Sequence, residues 1–599
     1  EVPLEATRLP ANEPRIQQRA SQDVDARLWQ DPFGAVARAR EDAQRRGAEA
    51  AAKLDANRGV DRLIREIGEQ KGRTGLAVEV LAVMLPGGPY SENLETRRRV
   101  RYAVLAGLNN SRLAPMDAEH LAYFFPSSAP PPHALGSAVV QAQVGAVSLA
   151  LESDVPAPPL LQTAAPSRGS LPEIVPYEWF EPTFDGWMQP GDEFQPLVLV
   201  MWLNGDVMFK EPLASIRTLI AQFQPVHPKL SWRVLGPGGS DELRSMVDEV
   251  QAKGSRPWLR DEYMRLPVRF YSSTATAPDD RILGRKHSCG RTVGAVLADH
   301  HVKLVRTIGD DDQLAKALLG ELGLRGLRFG KVPSWSACER GAMAPGTKLP
   351  SHVAVISVWD TLYGLTLRRE FRATPDDDGF CVHPFAYVRG LDGQLLAAGN
   401  ADAAGAPKPS GKSGSDGKEE GRRRDGTYIE VAEGQSQFDY LRRVALRMVE
   451  RDREIRRTSP DGEGLRAIGV LGSDVHDKLL VLQALQPEFP KAMFFTTDLD
   501  ARFLHPREKA WTRNLIVGSN FGLRLSDSLQ RAAPPFRDSY QTSIFLSTRL
   551  AMDDAHRALL QSRTANTGRP PEDFAPTSQE LISSWFQAPR IFEIGRTQP

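Results

Sequence analysis

Short apolar runs alternate along this chain with longer segments whose apolar residues recur at helical spacing. The runs LVLVMWL at 197–203 and VAVI at 353–356 have the length and composition of buried strands. Such runs end in turns rich in glycine or hydroxyl residues, after which a helix-like segment begins. Because strand–turn–helix units of this kind repeat from residue 77 onwards, the pattern predicts an α/β protein with mainly parallel sheets and right-handed crossovers.

Residues 1–76 differ from the rest because they are polar, charged and rich in alanine, arginine and glutamate. Breaks near Pro32 and Gly59 divide this stretch into two or three predicted helices. One interpretation is a helical arm that packs on the main body of the protein. The other is a segment that mediates homo-oligomerisation or docks a partner, such as a membrane protein.

Composition restricts the class of function. The chain has 75 Lys and Arg against 75 Asp and Glu, so its formal net charge is zero, which argues against a general nucleic-acid-binding protein. No run of about 18 apolar residues occurs, so the sequence predicts no membrane-spanning helix. The chain begins with Glu1 rather than methionine, and we expect that a signal or anchor segment has been removed from it.

The three cysteines, Cys289, Cys338 and Cys381, do not have the spacing of metal ligands. Their odd number excludes a complete disulfide framework, although a single Cys338–Cys381 bridge is compatible with it, so the redox compartment stays open. The sequence also has no nucleophile elbow, phosphate-binding loop, zinc motif or dinucleotide fingerprint. We therefore expect no cofactor, no metal and no catalytic residue.

Polar residues follow several predicted strands, at the sheet edge where α/β proteins bind ligands. Asp360 and Tyr363 follow the second apolar run, and could offer a carboxylate to a ligand cation and an aromatic wall. Asp360 could instead cap the next helix, and Tyr363 could pack between domains. In GPGGSDELR, Gly239 and Ser240 begin a helix whose free amides attract anions, unless Ser240 or Asp241 simply caps it.

Two further stretches carry candidates. The hydroxyl groups of YSSTATA, among them those of Ser273 and Thr274, could orient a carboxylate and an ammonium group, or could form a polar surface loop. In GSDVHDK, Ser473 and Asp474 precede a predicted helix, and either could be its N-cap. A metal or acid–base role for Asp474 and Asp477 with His476 is disfavoured because side chains at these spacings splay apart.

Charged residues near two other strand ends complete the candidates. Asp498, in TTDLDAR, lies at the end of a predicted strand. The arginines of ETRRRVR, which include Arg99, are interpreted as a solvated helix face, although one of them could reach a cleft and bind an acidic ligand.

The ordered set of these segments resembles the type I periplasmic-binding family, which includes branched-chain amino-acid-binding proteins and receptor ligand-binding regions. VLAVMLPGGPYSENLETRRRVRYAVLAGLNN is similar to the family's first strand, cleft loop and long helix, and WRVLGPGGSDELRSMV to a later glycine–serine turn. VAVISVWDTLYGLTLRREF is similar to the first strand and helix of the second lobe. The resemblance spans roughly residues 78–560, and it implies a cleft loop that contains Gly88, Tyr90 and Ser91.

The resemblance implies a two-lobed type I periplasmic-binding fold with parallel sheets. The expected parts are a helical N-terminal arm at 1–76, lobe 1 at 77–349 with an insertion at 125–172, lobe 2 at 350–498 with a disordered loop at 397–426, and a return segment at 499–599 that completes the lobes and ends in a tail.

The function that the resemblance implies is non-enzymatic binding of an amino-acid-like or other polar small molecule, for sensing or transport, in the periplasm or cell envelope. A cytoplasmic location stays open. The alternatives are a structural or partner-regulating protein with a degenerate cleft, and a hydrolytic enzyme that uses Asp474, His476 and Asp498. The candidate ligand-binding residues are Gly88, Tyr90, Ser91, Gly239, Ser240, Ser273, Thr274, Asp360, Tyr363, Ser473, Asp474 and Asp498.

Overall fold

A computed structural model of the chain describes most of the predicted α/β region. The described residues are 30–47, 49, 55, 58–88, 91–117, 121–126, 171–183, 196–252, 268–284, 290–331, 338, 350–359, 361–371, 378–391, 434–459, 461–567 and 588–595. The predicted insertion at 125–172 lies almost wholly outside these residues, and the predicted disordered loop at 397–426 lies wholly outside them.

The strands and helices occur in the alternation that the sequence predicts. The strands are β1 (Val78–Leu85), β2 (Leu113–Pro115), β3 (Ala122–Phe124), β4 (Val175–Pro182), β5 (Leu197–Asn204), β6 (Ser231–Leu235), β7 (Val268–Ser272), β8 (Lys303–Arg306), β9 (Gly330–Lys331), β10 (His352–Val358), β11 (Asp378–Gly379), β12 (Cys381–Tyr387), β13 (Leu465–Leu471), β14 (Met493–Thr497), β15 (Ile516–Ser519) and β16 (Arg590–Glu593). The α-helices are α1 (Pro32–Arg45), α2 (Val60–Thr74), α3 (Ser91–Asn110), α4 (Gly205–Met208), α5 (Pro212–Phe223), α6 (Ser240–Gln251), α7 (Asp279–Leu283), α8 (Val293–Ala298), α9 (Asp311–Leu324), α10 (Leu362–Glu370), α11 (Gly434–Thr458), α12 (Val475–Leu485), α13 (Lys509–Thr512), α14 (Asp527–Gln530) and α15 (Ser539–Thr567).

Two sheets with the same parallel core form the two lobes. The parallel strands follow the order β5-β1-β6-β7-β8 in the first sheet and β12-β10-β13-β14-β15 in the second. In both sheets the earliest of these strands therefore lies between the second and the third. Antiparallel strands extend each sheet, β4 beside β5 and β16 beside β15. The predicted two-lobed α/β fold with parallel sheets is thus confirmed.

The central strands are apolar because helices cover both faces of each sheet. Every residue of β1 and of β10 is buried, which is the pattern of a parallel strand covered on two sides. In lobe 1, α5 and α6 pack on one face of the sheet, and α3 and α15 pack on the other.

The chain passes between the lobes after β8, after β15 and again between α15 and β16. Helix α9 follows the first of these crossings, and its residues Ala315, Leu318 and Leu322 pack with Val353 and Val355 of the second sheet. This helix precedes the predicted division at 349/350, and the sequence therefore places it in lobe 1. Its buried side chains nevertheless pack in lobe 2. Each lobe is therefore assembled from separate stretches of the chain.

The described part of the N-terminal arm packs on lobe 1. Leu63, Ile64 and Ile67 of α2 lie in the core beneath the first sheet. The guanidinium group of Arg97, in α3, donates two hydrogen bonds of 2.9 Å to the carboxylate of Asp31. These contacts correspond to the packing interpretation, and the role of the arm in oligomerisation or docking stays a prediction.

A disulfide bond joins Cys338 to Cys381, with Cα atoms 5.7 Å apart. Cys381 is the first residue of β12 and pairs in register with His352 of β10. The bond therefore links the segment that precedes the second sheet to that sheet.

In the described part of the chain, no helix is both long and apolar enough to span a membrane. No group of three or more His, Cys, Asp or Glu side chains among the same residues could hold a metal ion.

Candidate interlobe site

The two lobes contact each other through loops and helices that follow the carboxyl ends of their parallel strands. The Ser473 hydroxyl, after β13, donates to the Glu92 carboxylate at the start of α3 over 3.3 Å. At a second place along the lobe boundary, Arg281 of lobe 1 pairs with Glu370 of α10 at 3.0 Å, and α6 packs against α10. A ligand held between the lobes would lie among these strand-end loops.

Tyr363 and Asp498, two candidates from different strand ends, come together at this boundary. The Tyr363 hydroxyl donates to Asp498 Oδ2 at 2.6 Å and lies 2.9 Å from Thr497 Oγ1. Burial and the negative charge of Asp498 raise the pKa of Tyr363 well above its usual value. The tyrosine therefore stays protonated and acts as a hydrogen-bond donor.

Lys478, in α12, adds a buried cation to this pair. Its Nζ donates to the Thr497 carbonyl at 2.8 Å and lies 3.5 Å from Asp498 Oδ2. Burial lowers the pKa of Lys478, and the charge of Asp498 opposes that shift. Asp498 also has a left-handed backbone, with φ at 61°, which is uncommon outside glycine. Such conformations concentrate at functional sites, where the surrounding structure enforces them.

The segments that cross between the lobes contribute Tyr540 and Asp311. Tyr540 lies beside Tyr363 and Asp498, and burial, with the negative charge of Asp498, raises its pKa well above the usual value. Asp311 is fully buried, and burial, with a smaller contribution from Asp498, raises its pKa to about 8. Asp311 is therefore mostly protonated at neutral pH.

We call Tyr363, Lys478, Asp498 and Tyr540 the boundary cluster. It offers one carboxylate, one ammonium group and two hydroxyl groups: Tyr363 donates to Asp498, Lys478 Nζ lies 3.5 Å from the same carboxylate, and Tyr540 lies beside Tyr363 and Asp498. Such a set can both accept hydrogen bonds from a polar ligand and donate hydrogen bonds to it.

The hydroxyl candidates of lobe 1 lie close together, but the hydrogen bonds that they form are with other groups of lobe 1. The Ser240 hydroxyl accepts a hydrogen bond from the Ala277 amide at 3.0 Å, and the Thr274 hydroxyl donates to the Gly238 carbonyl at 2.8 Å. The carbonyl of Ser273 accepts a hydrogen bond of 2.8 Å from α15. These bonds fix the loops after β6 and β7 relative to each other.

The start of α6 differs from the predicted capping. Gly239 occupies the N-cap position and no side chain caps the helix, so the alternative in which Ser240 or Asp241 caps the helix is wrong. The Glu242 carboxyl, which sequence reasoning missed, accepts a hydrogen bond from the Gly238 amide at 2.5 Å. Burial, opposed by that bond, raises the pKa of Glu242 to about 7. A glutamate in the first turn of a helix is the sequence signal for this contact.

Ser473 and Asp474 take part in the contact between lobes. Asp474 Oδ1 accepts a hydrogen bond from the His476 amide at 2.9 Å, so Asp474 is the N-cap of α12, one of the predicted alternatives. Burial raises the pKa of Asp474 to about 6, and the adjacent Glu92 carboxyl acts in the same direction. Burial also raises the pKa of Glu92.

Glu95 of α3 is the centre of an ionic network between the lobes. Its carboxylate lies 2.6 Å from Arg537 Nη1 and 3.3 Å from His476 Nε2, and also accepts from Arg99. Burial alone would raise the pKa of Glu95, but His476 and the two arginines hold it well below its usual range. His476 therefore binds Glu95 rather than joining Asp498, so the residues of the hydrolytic alternative belong to different hydrogen-bond groups.

The prediction of a solvated arginine face on α3 is wrong. Arg99 reaches the lobe boundary and pairs with Asp538 at 3.2 Å. Arg101 is fully buried and pairs with the buried Glu178 at 2.9 Å. Strands β4 and β5 of the first sheet cover Arg101, and the residue that precedes α15 pairs with Arg99, which a one-dimensional charge pattern does not reveal.

The remaining candidates lie in the first cleft loop and after β10. The Gly88 carbonyl accepts a hydrogen bond of 2.9 Å from Arg97, and Ser91 is the first residue of α3. Tyr90 and Asp360 lie outside the described residues, and their roles stay predictions.

No protein-family model matches this chain, and no curated protein matches its sequence. Its structure is similar to solved structures of solute-binding proteins. An ABC-transporter solute-binding protein from R. palustris, solved with benzoate, is 10% identical to this chain and has a TM-score of 0.38. The match covers 87% of this chain and 94% of the R. palustris chain. An extracellular ligand-binding receptor from Verminephrobacter eiseniae is 11% identical, with 87% and 98% covered and a TM-score of 0.37. A leucine-binding protein from Thermotoga maritima is 10% identical, with 80% and 83% covered and a TM-score of 0.33.

These structures are of the type I periplasmic-binding class. That is the class which the sequence resembles. At such low TM-scores and identities the similarity carries no information about ligands, so the fold rests on the strand orders of the two sheets and the site rests on the contacts of its side chains.

Proposed function

We propose that this protein is a non-enzymatic binding protein that closes its two lobes on a polar small molecule, with amino-acid-like compounds as the first candidates. The observation that carries the proposal is the boundary cluster, in which Tyr363 and Asp498 from two strand ends of lobe 2 meet Tyr540 from the crossing helix. Loops at the carboxyl ends of parallel strands, between two lobes, are where such folds bind small molecules.

The chemistry of the two sides suggests how a ligand is oriented. Asp498 supplies a carboxylate for a ligand ammonium or hydroxyl group, and Tyr363 supplies a ring against the ligand body. On the side of lobe 1, the exposed hydroxyl of Thr274 and the amides at the start of α6 suit a carboxylate. A compound with both groups would contact both lobes and would therefore favour the closed arrangement.

The proposal includes a location in the periplasm or cell envelope and a role in sensing or transport. The Cys338–Cys381 disulfide supports an oxidising compartment. The partner proposed there, besides the ligand, is a membrane protein that recognises the closed lobes.

Direct polar contacts between the lobes favour a second candidate, a partner-regulating protein whose cleft no longer takes a ligand. These contacts join the lobes with protein groups alone, and a ligand that opened or closed the cleft would have to break or rearrange them. They are Glu92–Ser473, Glu95–His476 and Arg281–Glu370.

Thermal-shift screening of the full chain against amino acids, small peptides and sugars tests the first proposal, because a ligand of the folded state raises the melting temperature. A compound that binds is then titrated calorimetrically into the wild type and into Tyr363→Phe, which we expect to bind about tenfold more weakly. Tyr271→Phe is the matched control, because the Tyr271 hydroxyl donates to Asp554 at 2.7 Å inside lobe 1.

Equal affinities of the two variants would place the ligand outside the boundary cluster. Small-angle scattering with the bound compound adds a second readout, since closure of the lobes reduces the radius of gyration. If no compound changes stability and the radius stays constant, the partner-regulating candidate replaces the first.

A further inference from the structure

Lobe 1 contains a polar cavity far from the lobe boundary. Its volume is about 160 Å³, enough for several waters or one small anion. Asn110, the last residue of α3, lines this cavity, whereas Glu92 near the other end of the same helix contacts lobe 2. Eighteen helical residues span about 27 Å. Tyr540 of the boundary cluster and Arg549 of the cavity lining are nearer, nine residues or about 14 Å apart along α15, and the two sites share no residue.

Three arginines from three elements line the cavity. Arg112 follows α3, Arg531 follows α14 and Arg549 lies within α15, while Asp553 is the acidic residue in the lining. Three positive charges against one negative charge leave the cavity cationic. The partial negative charge at the C-terminal end of α3 is small beside three guanidinium groups. The lining therefore attracts an anion, and a dianion more than a monoanion.

Arg549 is the least solvated of the three. Burial lowers its pKa, Asp553 opposes that shift, and the positive charge of Arg531 lowers the pKa further. Its Nε is buried and has no hydrogen-bond partner among the described residues. A buried guanidinium nitrogen without an acceptor is unfavourable, and an oxyanion in the cavity would supply one.

Two more buried polar atoms without a partner in the described structure belong to lining residues, Ser111 Oγ and Asn110 Oδ1. The serine hydroxyl can donate to an anion. Asn110 Oδ1 is an amide oxygen and therefore only accepts. The orientation of this amide is set by Nδ2, which donates to the Gln530 carbonyl at 2.9 Å. An acceptor inside a cationic cavity suits an anion that still carries a proton, as a phosphate does near neutral pH and a sulfate does not.

The backbone at two of the arginines is also unusual. Arg112 has φ at 60° and Arg531 has φ at 50°, both in the left-handed region that favours glycine. Residues other than glycine keep such conformations where the surroundings enforce them. Here both conformations belong to residues that line one cavity.

We propose that this cavity binds a phosphate group, held by Arg112, Arg531 and Arg549 with Ser111 as a further donor and Asn110 as acceptor of the phosphate proton. The ligand is inorganic phosphate, because a phosphate monoester has a second pKa of about 6 and is mostly unprotonated at neutral pH. This site is independent of the interlobe ligand.

Calorimetric titration of the full chain with inorganic phosphate, glycerol phosphate and sulfate, at constant ionic strength, tests the proposal. We expect saturable binding of inorganic phosphate, about tenfold or more tighter than sulfate. Glycerol phosphate, which is mostly without the phosphate proton at neutral pH, should bind more weakly than inorganic phosphate. Arg531→Gln and Arg549→Gln should each weaken phosphate binding about tenfold or more.

Arg524→Gln is the matched control, because Arg524 is half exposed, pairs with Asp527 and does not line the cavity. It should bind phosphate as the wild type does, and so should Asp498→Asn at the lobe boundary. Because Arg531 is exposed, its variant keeps the test valid if Arg549→Gln does not fold. Absence of saturable phosphate binding, equal affinity for sulfate, or an Arg531→Gln affinity equal to that of the control would overturn the proposal.

Discussion

Replacing His352 with asparagine should make the stability of lobe 2 less sensitive to acid. His352, in β10, and His383, in β12, are both almost fully buried, with Nδ1 of the first 2.9 Å from Nε2 of the second. Burial is the main reason why the pKa of His352 falls to about 4 and that of His383 to about 3. Both rings are therefore neutral in the folded protein at mildly acidic pH.

Charged neighbours modify these pKa values without reversing them. Arg451 of α11 lowers the pKa of both histidines. Arg328 also lowers that of His352, while Asp461 and Glu463 raise it. The net direction for each ring is downwards because burial is the largest cause.

The sign of the effect follows from comparison with the unfolded chain, in which a histidine has a pKa of about 6.5. Because the folded pKa values lie below this, the unfolded chain binds more protons as the pH falls, and stability is lost between roughly pH 6.5 and pH 4. At about pH 5 each histidine costs about 2 kcal/mol, and the pair about 4 kcal/mol. Above the unfolded pKa the pair has no such cost.

His352→Asn removes one of the two titrations and leaves an amide oxygen near the position of Nδ1. Urea unfolding followed by circular dichroism at about pH 7.5 and about pH 5 should show an acid-induced loss about 2 kcal/mol smaller in the variant than in the wild type. Carboxyl groups that titrate in this pH range are present in both proteins, so their contribution cancels in the difference between the variant and the wild type. Curves that run parallel would refute the reasoning, because His352 would then titrate equally in folded and unfolded chains.

Three further predictions concern buried charges and the disulfide. Arg101→Met removes the guanidinium group that neutralises the buried Glu178 carboxylate and should lower the free energy of unfolding by about 3–5 kcal/mol. Adding Glu178→Gln should recover much of this loss, and a double variant as unstable as the single one would contradict the ion-pair explanation. Cys381→Ser opens a loop of 43 residues and should lower the free energy of unfolding by about 4 kcal/mol. Urea unfolding should show a lower midpoint than that of the oxidised wild type, and an unchanged midpoint would contradict this prediction. Affinity for a carboxylate ligand of the lobe boundary should rise as the pH falls through about 7, where Glu242 becomes protonated, and calorimetry on Glu242→Gln should show no such pH dependence.

The central strands were predictable from the sequence because burial on both faces makes them continuous apolar runs. The runs at 197–203 and 353–356 became β5 and β10. The crossings between lobes were harder to predict. The apolar face of α9, with Ala315 and Leu318, shows that this helix packs on a sheet but not on which sheet.

The boundary cluster was partly predictable. Tyr363 and Asp498 follow predicted strands, and the rule that ligands bind at strand ends selects them. Lys478 and Tyr540 lie within helices, where a single polar residue has no distinctive periodicity. The contact of Glu95 with Arg537 joins residues 442 positions apart, and no local pattern encodes such a pair.

The return of α15 to lobe 1 has a consequence for synthesis of the protein on the ribosome. One face of the first sheet, including Leu81 and Val198, packs against Phe545 and Ala551 of this helix. Translation proceeds at roughly 5–20 residues per second, so the part of this face that α15 covers stays without that helix for roughly 10–50 s after β8 has been made. We therefore expect the nascent chain to depend on a chaperone that shields apolar strands until translation is almost complete.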